Sequence, residues 1–80
     1  MSLKLKIVSP ERVVYEGEVE SVVVPGTLGS FEILQNHAPI ISSLNKGKVE
    51  YTSNGGKQSL MVKGGFVEVR TNEVSLCVEI

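Results

Sequence analysis

No window of this chain places apolar residues at i, i+3, i+4 and i+7, the spacing that the buried face of a helix requires. Apolar and polar residues alternate instead, in short runs. LKLKIVS, residues 3–9, sets Leu3, Leu5 and Ile7 against Lys4 and Lys6, the pattern of a strand with one buried and one wet face. KVEYTS sets Val49 and Tyr51 against Lys48, Glu50 and Thr52, and FVEVR sets Phe66, Glu68 and Arg70 against Val67 and Val69. VSLCVEI, at the end, puts Val74, Leu76 and Val78 on one face. The expected class is all-β, with no helix.

Turn signals divide these runs. Pro10 fixes φ and has no N–H to donate, which suits a turn after the first strand. VVYEGEVESVVVP is expected to divide at Gly17 into a strand over residues 13–16 and a longer one over 18–24, with the three consecutive valines covered on both faces. Residues 45–47 make a turn, Gly64-Gly65 breaks the chain again, and Thr71-Asn72-Glu73 turns it once more. Asn54-Gly55 between two alternating runs is the strongest hairpin signal, because both central turn positions need φ > 0. The sum is about eight to ten short, mostly antiparallel strands in a flattened β-sandwich or barrel. The 80 residues are read as one domain over 1–80, near the lower end of what folds unaided.

The irregular stretch is residues 22–44, VVVPGTLGSFEILQNHAPIISSL. It holds Pro25, Pro39, Gly26, Gly29 and the chain's single histidine, His37. A working surface is expected here, since connections carried by a rigid sheet are free to serve function.

Composition excludes several functions. The net charge of −1 has no basic run within it, so nucleic acid is not an expected partner. One cysteine, Cys77, permits no internal disulfide, and with one histidine it assembles no zinc site. Cys77 reads as a small, half-buried strand residue, in keeping with a reducing compartment. All nine acids are glutamates, and alternation turns Glu18 and Glu20 outward together rather than into a cleft. The nine serines include none marked as a partner of His37, and neither Gly26-x-x-Gly29 nor Gly64-Gly65 leads into a helix as a phosphate loop must. The longest apolar runs are a few residues, too short to span a bilayer, and residues 1–9 lack the apolar segment of a signal peptide. The expectation is a chain with no active site, no cofactor and no metal.

One resemblance then becomes specific. PGTLGSFEILQNHAPIISSLNKGKV resembles the N-terminal β-sandwich of the epsilon subunit of bacterial F-type ATP synthases, called delta in mitochondria. Val24, Gly26, Gly29, Ile33, His37, Ala38, Pro39, Leu44 and Gly47 fall in step with that family's G-x-x-G and H-A-P pattern. Val8-Ser9-Pro10, Gly17, the run Gly64-Gly65-Phe66-Val67-Glu68-Val69 and the closing VSLCVE continue it over essentially the whole chain. Glu32 stands where the family usually has glycine, and Gln35 where it usually has proline. Most members continue into a C-terminal helical hairpin that inhibits ATP hydrolysis. The resemblance ends with the sandwich, so that hairpin and its inhibition are expected to be absent.

The resemblance implies a non-catalytic rotor component at the foot of the central stalk, supporting ion-driven ATP synthesis at the cytoplasmic face of the bacterial membrane. It implies two partners, the gamma subunit and the membrane c-ring. For the ring-facing edge the expected residues are Thr27, Leu28, Gly29, Ser30 and Phe31 together with His37. For the gamma-facing surface they are Val8, Ser9, Pro10, Ile40, Ile41, Ser42 and Ser43. The bland accounts are core packing for Phe31 and Leu28, and for His37 a bond to a backbone carbonyl within the H-A-P turn. The alternative from another class is a stand-alone β-sandwich module that binds a peptide or small ligand.

Overall fold

Leu3, Leu5 and Ile7 are buried to 1% exposure or less while Lys4 and Lys6 face water, so β1 (Leu3–Val8) follows its alternation residue by residue. Val74, Leu76 and Val78 are buried in the same alternating way in the computed structural model, which describes residues 3–80. There are eight further strands: β2 (Val13–Val19), β3 (Ser21–Gly26), β4 (Gly29–Ile33), β5 (Ile40–Leu44), β6 (Gly47–Ser53), β7 (Gly56–Val62), β8 (Gly64–Arg70) and β9 (Glu73–Glu79). No helix occurs among the described residues.

Hydrogen bonds connect the strands in the order β2-β1-β9-β8-β5-β3-β6-β7, with β4 on the other edge of β3. The sheet folds on itself into two layers, β2-β1-β9-β8-β5 and β4-β3-β6-β7. They join at a corner where Gly26 of β3 pairs with Leu44 of β5. All pairs are antiparallel except β1 with β9, which run parallel from Lys4↔Glu73 to Val8↔Cys77. The inner faces supply one core, including Leu3, Leu5, Ile7, Val22, Val24, Ile33, Val49, Val67, Val69, Val74 and Leu76, and no polar side chain is buried with them among the described residues. Each such aliphatic side chain contributes about 1.5–3 kcal/mol of transfer free energy against the entropy of ordering the chain.

Two details differ from the sequence expectation. The division of residues 13–24 falls at Glu20 and not at Gly17, because β2 runs through Gly17 in register with Leu5 of β1. Gly17 leaves a gap on the inner face that the Tyr15 ring fills: a Cβ on Gly17 would stand 2.9 Å from the Tyr15 hydroxyl. The glycine serves packing there, and the strand continues. Of the three valines, Val22 and Val24 are fully buried and Val23 is half-buried, so cover on both faces is partial until Pro25 and Gly26.

Gly65 is the position where only glycine fits. Its φ is +142°, and a Cβ would run into the Cys77 carbonyl across the β8–β9 pair. The expected hairpin at Asn54-Gly55 is present as a two-residue loop closed by Ser53↔Gly56, with φ of 53° and 77° at its central residues.

Candidate functional site: two ends and an apolar strip

β3 and β4 make a tight hairpin whose loop is Thr27-Leu28, closed by Gly26↔Gly29. Gly29 has φ +128°, and nothing crowds it. The hairpin is tied to β5 by two backbone bonds, Thr27 N–H to Ser43 O at 3.3 Å and Asn45 N–H to Pro25 O at 2.7 Å. Leu28 stands at the tip with 104% of its reference surface exposed, so core packing does not account for it. Thr27 and Ser30 are exposed beside it. Phe31 is half-buried, packs against the core and lies over Gly26, where a Cβ would meet its ring at 2.8 Å. It braces the hairpin and shows one edge.

His37 lies at the other end of the sandwich. β5 runs from Ile40, opposite Val69, to Leu44, opposite Gly65, and the loop carrying His37 precedes Ile40. The hairpin tip sits at the Leu44 end. The path along β8 and its turn from Gly65 to Asn72 separates the ends, on the order of 20 Å at a strand's rise. The six residues expected on one edge therefore divide into two groups. The loop's anchor is Asn72 in the β8–β9 turn. Its Oδ1 accepts the Asn36 N–H at 2.8 Å, its Nδ2 donates to Asn36 Oδ1 at 3.3 Å, and its carbonyl accepts the Lys4 N–H at 2.9 Å. His37 Nδ1 lies 2.7 Å from Ala38 O. A carbonyl only accepts, so Nδ1 is the donor in this contact. The turn-histidine account describes Nδ1, and among the described residues Nε2 makes no hydrogen bond.

The outer face of the β2-β1-β9-β8-β5 layer is graded along its strands. Nearest the His37 end a row of Lys4, Glu73 and Arg70 crosses the sheet, and Glu68 holds Arg70 at 3.0 Å on the surface. A shallow groove of about 410 Å³ there is lined by charges of both signs, Lys4, Lys6, Glu16, Glu18 and Glu73. Toward the hairpin-tip end the row becomes Val8, Cys77, Phe66 and Ser43 in direct register. A hollow of about 340 Å³ is lined there by Val8, Ser9, Pro10, Phe66 and Cys77. Ile41, 73% exposed, adjoins it one row away.

Val8, Ser9, Pro10, Ile41 and Ser43 are thus gathered on one strip. Ile40 and Ser42 alternate to the opposite side of β5, where Ile40 is 37% exposed and Ser42 half-buried. Sequence reasoning missed Phe66 and Cys77 as members of this strip. The signal was present, since alternation grouped Phe66 with Glu68 and Arg70 on the wet face, and a large aromatic there asks for a partner.

A two-layer β-sandwich presenting an apolar tip, an apolar strip and a clamped histidine loop has the architecture of a binding or structural domain. The sequence model of the family described as "ATP synthase, Delta/Epsilon chain, beta-sandwich domain" matches residues 2–80, and this chain belongs to that family. The ATP synthase epsilon chain of Chlorobium limicola is 40% identical over 79 residues, covering 98% of this chain and 90% of that one. That of Leptospira interrogans (strain Fiocruz L1-130) is 43% identical over 77 residues, with 96% of this chain and 61% of the relative covered. That of Desulfitobacterium hafniense (strain DSM 10664 / DCB-2) is 47% identical over 75 residues, covering 94% and 57%. The chain thus spans about three fifths of the length of the Leptospira and Desulfitobacterium relatives. Among solved structures, a chain of the Euglena gracilis mitochondrial ATP synthase (OSCP/F1/c-ring) shares the fold at TM-score 0.91 and 20% identity, covering 96% of this chain and 50% of that one. A chain of the Tetrahymena thermophila mitochondrial ATP synthase central stalk and c-ring does so at 0.82 and 14%, covering 100% and 65%.

Proposed function

We propose that this domain is a non-catalytic rotor component of an F-type ATP synthase, joining the gamma subunit to the c-ring at the cytoplasmic face of the bacterial membrane. Family membership supports the reading, and the exposure of Leu28 carries it to the surface. A fully exposed leucine on a braced hairpin tip has an apolar side chain to offer and no contact of its own to make. Thr27, Leu28, Gly29 and Ser30, with the edge of Phe31, are the c-ring contact in this reading. His37, on its separate loop, offers Nε2 as a second polar contact. The strip of Val8, Ser9, Pro10, Ile41 and Ser43, with Ile40 and Ser42 at its β5 margin, is the gamma contact, and Phe66 and Cys77 join it.

The mechanism is mechanical. Torque passing from ring to stalk would shear the domain between its two contacts, and ladder hydrogen bonds running through both layers resist that shear. A loop-built connector would bend under the same load. No bond is made or broken on this chain. Its task is to widen the contact so that stalk and ring turn together.

The test is an affinity pull-down of the tagged protein from its native membranes, with mass spectrometry of the co-purifying subunits. Gamma and c subunits should be recovered, and the c subunit should be lost with Leu28→Ser while gamma remains. Recovery of both with Leu28→Ser would remove the hairpin tip from the ring contact. Recovery of neither by the folded wild type would leave the peptide- or ligand-binding module as the better reading.

A further inference from the structure

The Asn54-Gly55 tip of the β6–β7 hairpin is held by a neighbour outside the hairpin. The Gly55 N–H donates to Glu20 Oε1 at 2.9 Å. Glu20 sits at the corner between β2 and β3, and its own N–H donates to Thr52 O at 2.7 Å. Ser53 Oγ adds a bond to Glu18 O at 3.4 Å. The corner thus grips the hairpin from Thr52 to Gly55.

Of the four asparagines, Asn54 is the one followed by glycine. Both residues are exposed, and nothing lies within 4 Å of a Cβ built on Gly55. An unhindered Asn-Gly pair has an intrinsic reaction. The Gly55 nitrogen attacks Asn54 Cγ, the new N–Cγ bond forms and the Cγ–Nδ2 bond breaks. Nδ2 leaves as ammonia with the proton that the Gly55 nitrogen gives up, and the product is a cyclic imide. Water then opens either imide carbonyl, giving aspartate or isoaspartate with no change of oxidation state.

We infer that Asn54 is a deamidation site and that the Glu20 carboxylate sets its rate by holding the attacking nitrogen. While Oε1 accepts the Gly55 N–H, that nitrogen stays protonated and fixed in the turn, directed at Glu20. Reaction proceeds from the fraction of molecules in which this cap has opened. Isoaspartate at 54 lengthens the main chain by one methylene within a loop whose two residues must span Ser53↔Gly56. Conversion therefore frees the hairpin tip from the corner. This inference is independent of the rotor reading.

The purified chain, its Glu20→Ala, Glu20→Gln and Asn54→Gly variants, and a free peptide of residues 50–60 are incubated at neutral pH and 37 °C. Peptide mapping follows the amide-to-acid mass gain, and enzymatic methylation counts isoaspartate. The folded wild type should convert at Asn54 more slowly than the peptide. Glu20→Ala should convert about fivefold faster than wild type, the shift in opening expected on losing one exposed hydrogen bond. Glu20→Gln retains an Oε1 acceptor and should stay near wild type, and Asn54→Gly keeps a residue suited to positive φ and should not convert. A folded wild type as fast as the peptide overturns the inference without any variant. So does a folded Glu20→Ala at the wild-type rate, or conversion at Asn36, Asn45 or Asn72 ahead of Asn54.

Discussion

The rings of Tyr15 in β2 and Tyr51 in β6 lie 4.6 Å apart at their centroids, tilted by 41°, and span the gap between the two layers. β2 and β6 are not hydrogen-bonded to each other, so this pair helps close the sandwich on the side away from the Gly26/Leu44 corner. Tyr15 fits there because Gly17 has no side chain. A double-mutant cycle with Tyr15→Leu and Tyr51→Leu in urea unfolding should give a coupling of about 1 kcal/mol. Additive effects would mean that the two rings bury area without acting on each other.

Tyr51 makes a second prediction through its hydroxyl. Burial first, and the neighbouring Tyr15 phenol second, raise its pKa above the ordinary 10.0. The unfolded chain then loses this proton at a lower pH than the folded one. Stability is complete below pH 10.0 and falls as pH rises from there toward the folded value. Tyr51→Phe removes this dependence, along with the 3.2 Å bond to Gln58 Oε1. Unfolding midpoints taken across that range should fall less steeply for Tyr51→Phe, since lysine titration is common to both proteins and cancels.

Gly65→Ala should be among the most damaging single-methyl additions to the chain. The φ of +142° and the Cys77 carbonyl leave the methyl no place, and β8 is paired on both sides, with β5 and with β9. The expected loss is about 2 kcal/mol or more, read from denaturant midpoints. Gly55→Ala, strained in φ but open in space, should cost less.

These features mark what the sequence could and could not disclose. Leu3, Leu5 and Ile7, or Val74, Leu76 and Val78, declare their strands because one face of each is wet and period two survives intact. Gly17 misled because a glycine in a strand reads as a break, and its use as space for Tyr15 depends on a fold not yet in view. The parallel pairing of β1 with β9 joins the two ends of the chain and leaves no local pattern. The residues expected on the ring-facing edge are neighbours in sequence and not in space. Thr27, Leu28 and His37 are near in sequence, but the length of a strand lies between them, and Asn72, which clamps the His37 loop, looked like an ordinary turn residue.

That clamp is open to measurement. Asn72 has φ 55°, so Asn72→Gly preserves the turn while deleting both side-chain bonds to Asn36. The loss should be about 1 kcal/mol, and the Asn36 amide should exchange with solvent faster. The His37 ring resonances should also shift as its loop loosens, while amides of the β3–β4 hairpin at the far end keep their protection. A change that spread to both ends would mean that the loop and the tip form one cooperative unit.

On the proposed rotor reading, substitutions in the apolar strip would separate folding from gamma capture. Phe66 and Ile41 are 46% and 73% exposed on the outer face of their layer, away from the core, so replacing either with serine should change stability by about 0.5 kcal/mol or less. In the assembled complex a buried aromatic at the centre of a contact commonly counts for about 2 kcal/mol, enough to weaken capture of the gamma subunit by about tenfold or more. Phe66→Ser should therefore unfold like the wild type yet fail to retain gamma in the membrane pull-down, and Ile41→Ser should do so less severely. Leu28→Ser, at the hairpin tip, should leave gamma capture intact. Equal loss of gamma with Leu28→Ser and Phe66→Ser would show that tip and strip serve one contact, and full retention with Phe66→Ser would take the strip out of the interface.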